Sequence, residues 1–505
     1  MGLSKLVDKM RNHSVASVNA ADPPVDAGKA PSKKQIYRAR YNFGPNFGAV
    51  FVGEKWIFHS IFPKGAETEL QAAEGNIKEL GVDGARKKYE KHWKSYVNDD
   101  DWAWLHDNGV TAIRLPIGYW NIDGGKYTKG TKFEKVAGVY KNSWDIIKKN
   151  FIEPAGRFHI GVLIDIHGLP YGANGNDHSG ETNNGKAEFW SKSSAQSLMI
   201  DALKFLAGDI ARYENVAGIQ IVNEAEFSDS ATKQKKYYAD AINAIRSVDK
   251  SVPVVISDGW WPDQWAKWVQ ENQDIGTTIG VVVDHHVYRC FDGKDKNKDP
   301  NRITKDLEGD LLTNLTEDGS GVDFMVGEWS CVLDGQSFSK AGLDPNDYGN
   351  SKRAEFASKY GAKVADLIFK RAGAGCYFWT YKFESGNGGE WDFRQQLHKA
   401  FSPPKISVPD ENKFKELLKN NFKAHSDYWN SQNSKEKYEH DRYKEGFTVA
   451  WNDNLAFAKQ GSLLGRRQAL KSARLKEHID AKGKSKFLWE WEQGYDKGCE
   501  EFNNL

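Results

Sequence analysis

Cysteine is scarce in this sequence: Cys290, Cys331, Cys376 and Cys499 are the four in 505 residues, with no C-x-x-C pair and no zinc-ligand spacing. That excludes a disulfide-stapled scaffold and a zinc ribbon, and favours a reducing compartment. Long apolar runs are missing too. Nothing approaches the ~20 residues that a helix needs to cross a bilayer, so no transmembrane segment is expected. Charge of one sign is absent, with 70 Lys and Arg facing 69 Asp and Glu, which argues against nucleic acid as the partner. The opening "MGLSKLVDKMRNHSV" lacks the apolar centre of a secretory signal, and position 6 is Leu where myristoylation wants Ser or Thr. The expectation is an intracellular, cytoplasmic protein, for which the sequons at Asn12 and Asn314 carry little meaning. Leu3, Leu6, Val7 and Met10 form one apolar helical stripe that could make peripheral membrane contact or direct mitochondrial import, while a frayed tail is the plainer reading.

What is abundant is aromatic: 18 Trp, 20 Tyr and 26 Phe. A large core uses such rings, and so does a sugar-binding cleft, where the apolar C–H face of a pyranose stacks on an indole. With 39% hydrophobic and 28% charged residues, the composition is that of a globular protein.

The small, polar, Pro-bearing residues 15–35 read as a disordered linker, and residues 1–36 as a disordered or targeting segment. Eight short β-branched runs then follow, separated by helical or loop stretches: 40–44, 111–118, 160–168, 216–224, 253–259, 279–288, 323–330 and 373–381. Strand alternating with helix predicts a parallel sheet, and eight units predict a closed (β/α)8 TIM barrel over residues 37–400. No G-x-G-x-x-G follows the first strand, which removes a dinucleotide fold. After "SPPKISVPDE" the chain turns charged and helical, giving a helical extension over 401–505 that can pack on the barrel or on a protein partner. Within it, Tyr443-x-x-Gly446-Phe447 matches Trp491-x-x-Gly494-Tyr495, either a degenerate repeat or a chance likeness. The small residues would let helices approach closely.

In a TIM barrel the C-terminal strand ends point into the active site. Here they carry Arg114, Asp165-Ile166-His167, Asn223-Glu224, Asp284-His285-His286-Val287-Tyr288, Glu328-Trp329, and Trp379 leading to Lys382 and Glu384. One such residue is usually a structural hydrogen-bonding group. Five of these strand ends, delivering Arg, His, Glu, His/Tyr and Glu to one mouth, would, as core, need dense mutual bonding. Two carboxylates from opposite sides suit glycoside hydrolysis: one acts as acid, the other attacks the anomeric carbon or activates water. Arg114 and Tyr288 would hold one ionised; a less polar setting would keep the other protonated.

The set "NFGAVFVGE", "LIDIHGLPYGANGNDHSG", "IQIVNEAEF", "DHHVY", "FMVGEWS" and "FWTYKFE" resembles glycoside hydrolase family 5, most of all its fungal exo-1,3-β-glucanase group, over roughly residues 40–395. The resemblance implies a retaining mechanism on β-glucosides or oligosaccharides without metal or cofactor. It implies Glu224 as acid/base and Glu328 as nucleophile, Arg114 and Tyr288 as orienting groups, and Asn223 on the sugar 2-hydroxyl. His167 and His286 would line the sugar subsite, Trp379 would be its floor, and Glu54 would bind the far hydroxyls of a terminal glucose. Two departures stand out. Ala225 replaces the Pro of Asn-Glu-Pro, expected only to relax the turn, and "NGNDHSG" stands for "NGFDNSG", so Asn176 replaces a clamping aromatic whose partner survives as Phe291. The polar stretch 292–321 is a further candidate for reshaping the entrance. The reading is an exo-acting β-glucosidase on a small or lipid-linked β-glucoside. An exo-1,3-β-glucanase is the alternative, and a catalytically silent carbohydrate-binding or scaffold protein the reading from another class.

Overall fold

Eight parallel strands lie in one sheet: β1 (Asn42–Pro45), β2 (Ala112–Gly118), β3 (Gly161–Gly168), β4 (Val216–Gln220), β5 (Val254–Ser257), β6 (Val281–Val287), β7 (Asp323–Trp329) and β8 (Gly375–Phe378). The computed structural model describes residues 17–182, 184–313 and 321–505. The order β1-β8-β7-β6-β5-β4-β3-β2 closes through an Asn46–Arg114 bridge and through Thr111 N–H donating to Phe43 O at 2.8 Å, so the sheet is a TIM barrel. Each expected run holds a strand. β4 stops at Gln220, however, so Asn223 and Glu224 stand in the loop beyond it rather than on its last residues.

Alternation explains the interior. In β2, Ile113, Leu115 and Ile117 belong to the cluster between sheet and outer helices, while Ala112 joins Leu163, Val255, Val282, Met325, Ala374 and Tyr377 in a separate apolar plug. Two residues further along, on the same face, come Arg114, Asp165, Gln220 and Asp284, all buried. The barrel therefore has an apolar floor and a charged layer above it. The outer helices are amphipathic. In Ser351–Arg371 the side chain of Asn350 caps the start, and Phe356, Tyr360, Val364, Leu367 and Ile368 form the buried stripe. Within the stretch 292–321, Pro300–Asp310, capped by Asp299, is the crossover helix before β7 rather than an addition to the entrance.

The linker expected at 15–35 is different in the described residues. Ala21 and Asp22 N–H groups donate to Thr278 and Lys250 carbonyls, and Asn243 bonds Ser17 and Asn19. Val25, 3% exposed, shares a core with Ile36, Ala39 and the C-terminal Leu464, Trp491 and Tyr495. Burying that valine against another part of the chain ties down an otherwise polar strap. Residues 1–16, with the apolar stripe and Asn12, and residues 314–320, with Asn314, lie outside the described residues. No described helix is long and apolar enough to cross a membrane.

The C-terminal helices Glu411–Gln432, Asp441–Ala458, Arg467–Lys482 and Leu488–Asn503 include a group packed on the barrel end opposite the strand C-termini. Tyr41 N–H donates to Leu463 O, and Asp323 at the start of β7 caps Arg467–Lys482 through the N–H groups of Gln468 and Ala469. Asp441–Ala458 and Leu488–Asn503 run side by side in the same direction. A Cβ on Gly494 would lie 2.0 Å from Tyr443 O, and one on Gly446 would lie 2.1 Å from Trp491 O. This reciprocal approach is the physical content of the shared register. Gly494→Ala must push the helices apart, so a loss of about 3 kcal/mol is expected, as for an overpacked core. Thermal unfolding checks this, and an unchanged Tm would contradict the contact.

Candidate functional site

Glu328 reaches the mouth because the sheet slips. His285 pairs with Val326 but His286 pairs with Glu328, so Gly327 is the extra residue of a bulge. A Cβ at Gly327 would meet the Asp284 carboxylate at 2.4 Å, so only glycine fits, and the bulge turns Glu328 to face the charged layer. There its Oε1 accepts from Arg114 Nη1 at 3.0 Å and its Oε2 from Tyr288 OH at 2.9 Å.

Arg114 is fully buried and spreads its fork over Gln220 Oε1 (2.9 Å), Asn46 Oδ1 (2.8 Å) and Asn223 Oδ1 (2.7 Å), with Asp165 at 3.1 Å. Burial opposes its charge, but Asp165, Glu328 and Asp284 outweigh burial and raise its pKa. Removing this cation would leave buried carboxylates uncompensated, at about 3–5 kcal/mol. The same neighbourhood pushes the Tyr288 phenol well up: burial first, then the Glu328 and Glu224 charges. Tyr288 therefore stays a donor to the carboxylate.

Glu224 sits at φ +43°, in the left-handed region. Asn174 Nδ2 donates to its carbonyl at 3.0 Å, and the N–H of Ala225 donates to Ser257 Oγ at 3.0 Å. The second bond revises the expectation for Ala225: proline could not donate it, so alanine anchors the turn rather than relaxing it. The carboxylate lies between two imidazoles, with His286 Nδ1 2.8 Å from Oε1 and His178 Nε2 3.2 Å from Oε2. The less polar setting expected for one carboxyl is therefore not found at Glu224. Burial would raise its pKa, but the bonds and charge of His178 and His286 outweigh burial and hold it well below the usual range. Oxygens of Glu224 and Glu328 and a ring nitrogen of His286 all lie within 4.8 Å of one another.

These groups face a cavity of about 730 Å³. Glu54, His167, Tyr288, Phe291 and Trp379 line it with the two carboxylates, as the motifs imply. Glu54 accepts from Trp56 Nε1 at 2.7 Å; burial pushes its pKa up, and His178 and His167 draw it back. His167 stacks on Trp379 with centroids 5.8 Å apart and bonds Asp165 through Nδ1 at 2.7 Å. His286 does not line the cavity. It is 5% exposed, with Nε2 on Asp284 at 2.9 Å, so it acts through Glu224 rather than on a sugar. Arg114 and Asn223 likewise stand behind the wall.

Sequence reasoning passed over His178, Trp56, Trp260 and Trp391. Trp56, Trp391 and Phe291 form a ring strip from β1 to β6, with centroids 5.6 and 6.2 Å apart. Trp260 meets His286 edge-on at 6.3 Å on the side where Asn176 is exposed. All four lie on loops without periodicity; an aromatic or His just past a strand run was the signal available. Among the described residues, two sets have spacing that could suit a metal: Glu224, His286 and Glu328, and, in the C-terminal helices, His425, His440 and Glu490. Hydrogen bonds link Glu224 with His286 in the first, and both histidines with Glu490 in the second.

The family model described as Cellulase (glycosyl hydrolase family 5) matches residues 75–385, and that for the Glucan 1,3-beta-glucosidase 3 C-terminal domain matches residues 410–505. An uncharacterized glycosyl hydrolase of Saccharomyces cerevisiae is 38% identical over 95% of this chain and 94% of its own. Glucan 1,3-beta-glucosidase 3 of Schizosaccharomyces pombe is 36% identical over 92% of this chain and 95% of its own. Among solved structures, a rutinosidase from Aspergillus niger superposes with TM-score 0.54 at 18% identity, over 70% of this chain and 93% of that one, a likeness of fold.

Proposed function

Because the chain belongs to glycoside hydrolase family 5, a retaining family, we propose that it is an exo-acting β-glucosidase, with Glu328 as nucleophile and Glu224 as acid/base. The observation that carries this reading is the pair itself: oxygens of the two carboxylates within 4.8 Å, one of the two held by Arg114 and Tyr288. Retaining pairs stand about 5–5.5 Å apart, whereas inverting pairs leave about 6.5–9.5 Å for a water. Glu328 needs to be an anion to attack C1, and its two donors serve the anion. Asn223, oriented by Arg114 and standing behind the wall, turns its amide to His167 Nε2 at 3.4 Å and so steadies the cavity lining. Glu54 and Trp56 close one end of the cavity around a terminal glucose, with Trp379 as its stacking face. Phe291 and Trp391 remain on the leaving-group side.

The preferred substrate is a small or lipid-linked glucoside, since Asn176 offers no ring to pair with Phe291 across the leaving sugar. The relative named Glucan 1,3-beta-glucosidase 3 and the matching C-terminal domain favour the second reading, exo-1,3-β-glucan cleavage. A panel of aryl β-glucosides, steryl glucoside, glucosylceramide and laminari-oligosaccharides separates them. The first reading expects at least about tenfold higher kcat/KM, a difference of ~1.4 kcal/mol, on the non-glucan glucosides. It also expects Asn176→Phe to narrow that gap by improving cleavage of laminari-oligosaccharides. Preference for the oligosaccharides in the unaltered protein would establish the second reading instead.

A further inference from the structure

His178 is the cationic group of the site that no motif accounted for. It stands in the short turn Asp177–Ser179 after β3, where the resembled motif carries Asn, and its side chain is 26% exposed on the cavity wall. Its Nε2 meets Glu224 Oε2 at 3.2 Å, the oxygen that His286 leaves free. Building on the acid/base role of Glu224, we propose that His178 is a positioning residue that stores the proton Glu224 gives to the leaving oxygen and takes back from water.

The need for such a store follows from the geometry. A carboxylate bonded by two imidazoles is stabilised as the anion, yet an acid catalyst must carry a proton when the glycosidic bond breaks. The two imidazoles are not equivalent. His286 has a carboxylate oxygen at each ring nitrogen, Glu224 at 2.8 Å and Asp284 at 2.9 Å, with Glu328 at 3.6 Å. Losing a proton there would set a bare nitrogen against an oxygen anion. His178 is bonded to Glu224 and reachable from the cavity. The charged and titratable groups facing it are Glu54 from the β1 loop, His167 from β3 with centroids 5.6 Å apart, Glu224 beyond β4, and Glu328 from β7. Burial alone would lower its pKa; the bond to Glu224, then the charges of Glu224, Glu54 and Glu328, outweigh burial and raise it to about 9.

The proton is conserved through both half-reactions. In the first, a Glu328 oxygen bonds C1 as the C1–O bond to the aglycone breaks. The proton on His178 Nε2 passes to Glu224 and from it to the leaving oxygen, which leaves Glu224 an anion and His178 neutral. In the second, a water oxygen bonds C1 as the bond to Glu328 breaks, and the proton water gives up passes through Glu224 to His178. One glycoside and one water become a free sugar and an alcohol, and His178 returns to its starting state.

The test is the pH profile of kcat/KM for His178→Asn on an alkyl β-glucoside, beside a dinitrophenyl β-glucoside whose leaving group needs no proton. A raised pKa means that the pair keeps its proton, and the activity that needs it, below about pH 9 and loses both above. With Asn, the only remaining proton is on Glu224 itself, still drawn down by His286. The alkaline limb on the alkyl glucoside then moves to lower pH by at least about one unit, a tenfold loss on that limb, while the dinitrophenyl profile holds its limb. A limb that stays in place on the alkyl glucoside overturns the proposal, whether the rate is unchanged or uniformly lowered. If the Asn variant does not fold, His178→Gln is read in the same way. Covalent labelling by a 2-deoxy-2-fluoro-β-glucoside is followed in parallel. Failure of the unaltered protein to label counts against the retaining site itself, whereas labelling with an unmoved limb counts only against the role of His178.

Discussion

Glu328→Gln lowers kcat/KM on every β-glucoside by at least about 10⁴-fold, as removal of a covalent nucleophile does elsewhere. The amide keeps the volume of the carboxylate and one acceptor for Arg114 Nη1 or Tyr288 OH, so the fold should be retained. It has no anion to attack C1. Loss of the anion also leaves the Arg114 charge less well compensated, but Asp165 at 3.1 Å still faces it. Steady-state kinetics together with an unchanged thermal transition check the expectation. A variant that keeps a tenth of the activity would remove Glu328 from the nucleophile role.

Glu224→Gln has an effect that depends on the leaving group. On alkyl glucosides, where the departing oxygen needs a proton, kcat/KM falls about 10²–10⁴-fold, the range of general acid catalysis. On dinitrophenyl glucosides the first half-reaction is nearly spared, and the second is slowed because water has lost its base. The glycosyl intermediate then accumulates, so a burst of dinitrophenol precedes a slow steady state. Equal losses on both substrates without a burst would contradict the acid/base role.

Much of the scaffold was legible in the sequence because a strand buried on both faces reads as an unbroken apolar run, as in "IGVLIDIHG" and "IGVVVDHHVY". Each of those two runs holds one strand of the ring. The charged layer was visible in outline, since Asp165 with His167 and Asp284 with His286 obey the period of two that puts them on one face. Glu328 breaks that period. It faces inward because of the bulge at Gly327, and a bulge leaves no trace in hydropathy. Glu224 depends on a left-handed turn beyond β4, held by Asn174 and Ser257 from other loops. Its pair of imidazoles comes from the β3 loop and from β6, groups far apart in sequence, so the ionised setting of Glu224 could not be read from its own neighbours. The strap at 17–35 was missed for the opposite reason. Its composition is that of a linker, and one buried valine with a few backbone bonds is enough to dock it.

The central claim is that Glu328 becomes covalently bonded to the sugar. Mass spectrometry after incubation with 2,4-dinitrophenyl 2-deoxy-2-fluoro-β-glucoside tests it most directly. The fluorine slows both half-reactions and the good leaving group restores the first, so the intermediate is trapped. The expected result is one fluoroglucosyl adduct, mapped to the peptide carrying Glu328 and absent from Glu328→Gln. Unmodified protein after long incubation, or an adduct on Glu224, would contradict it.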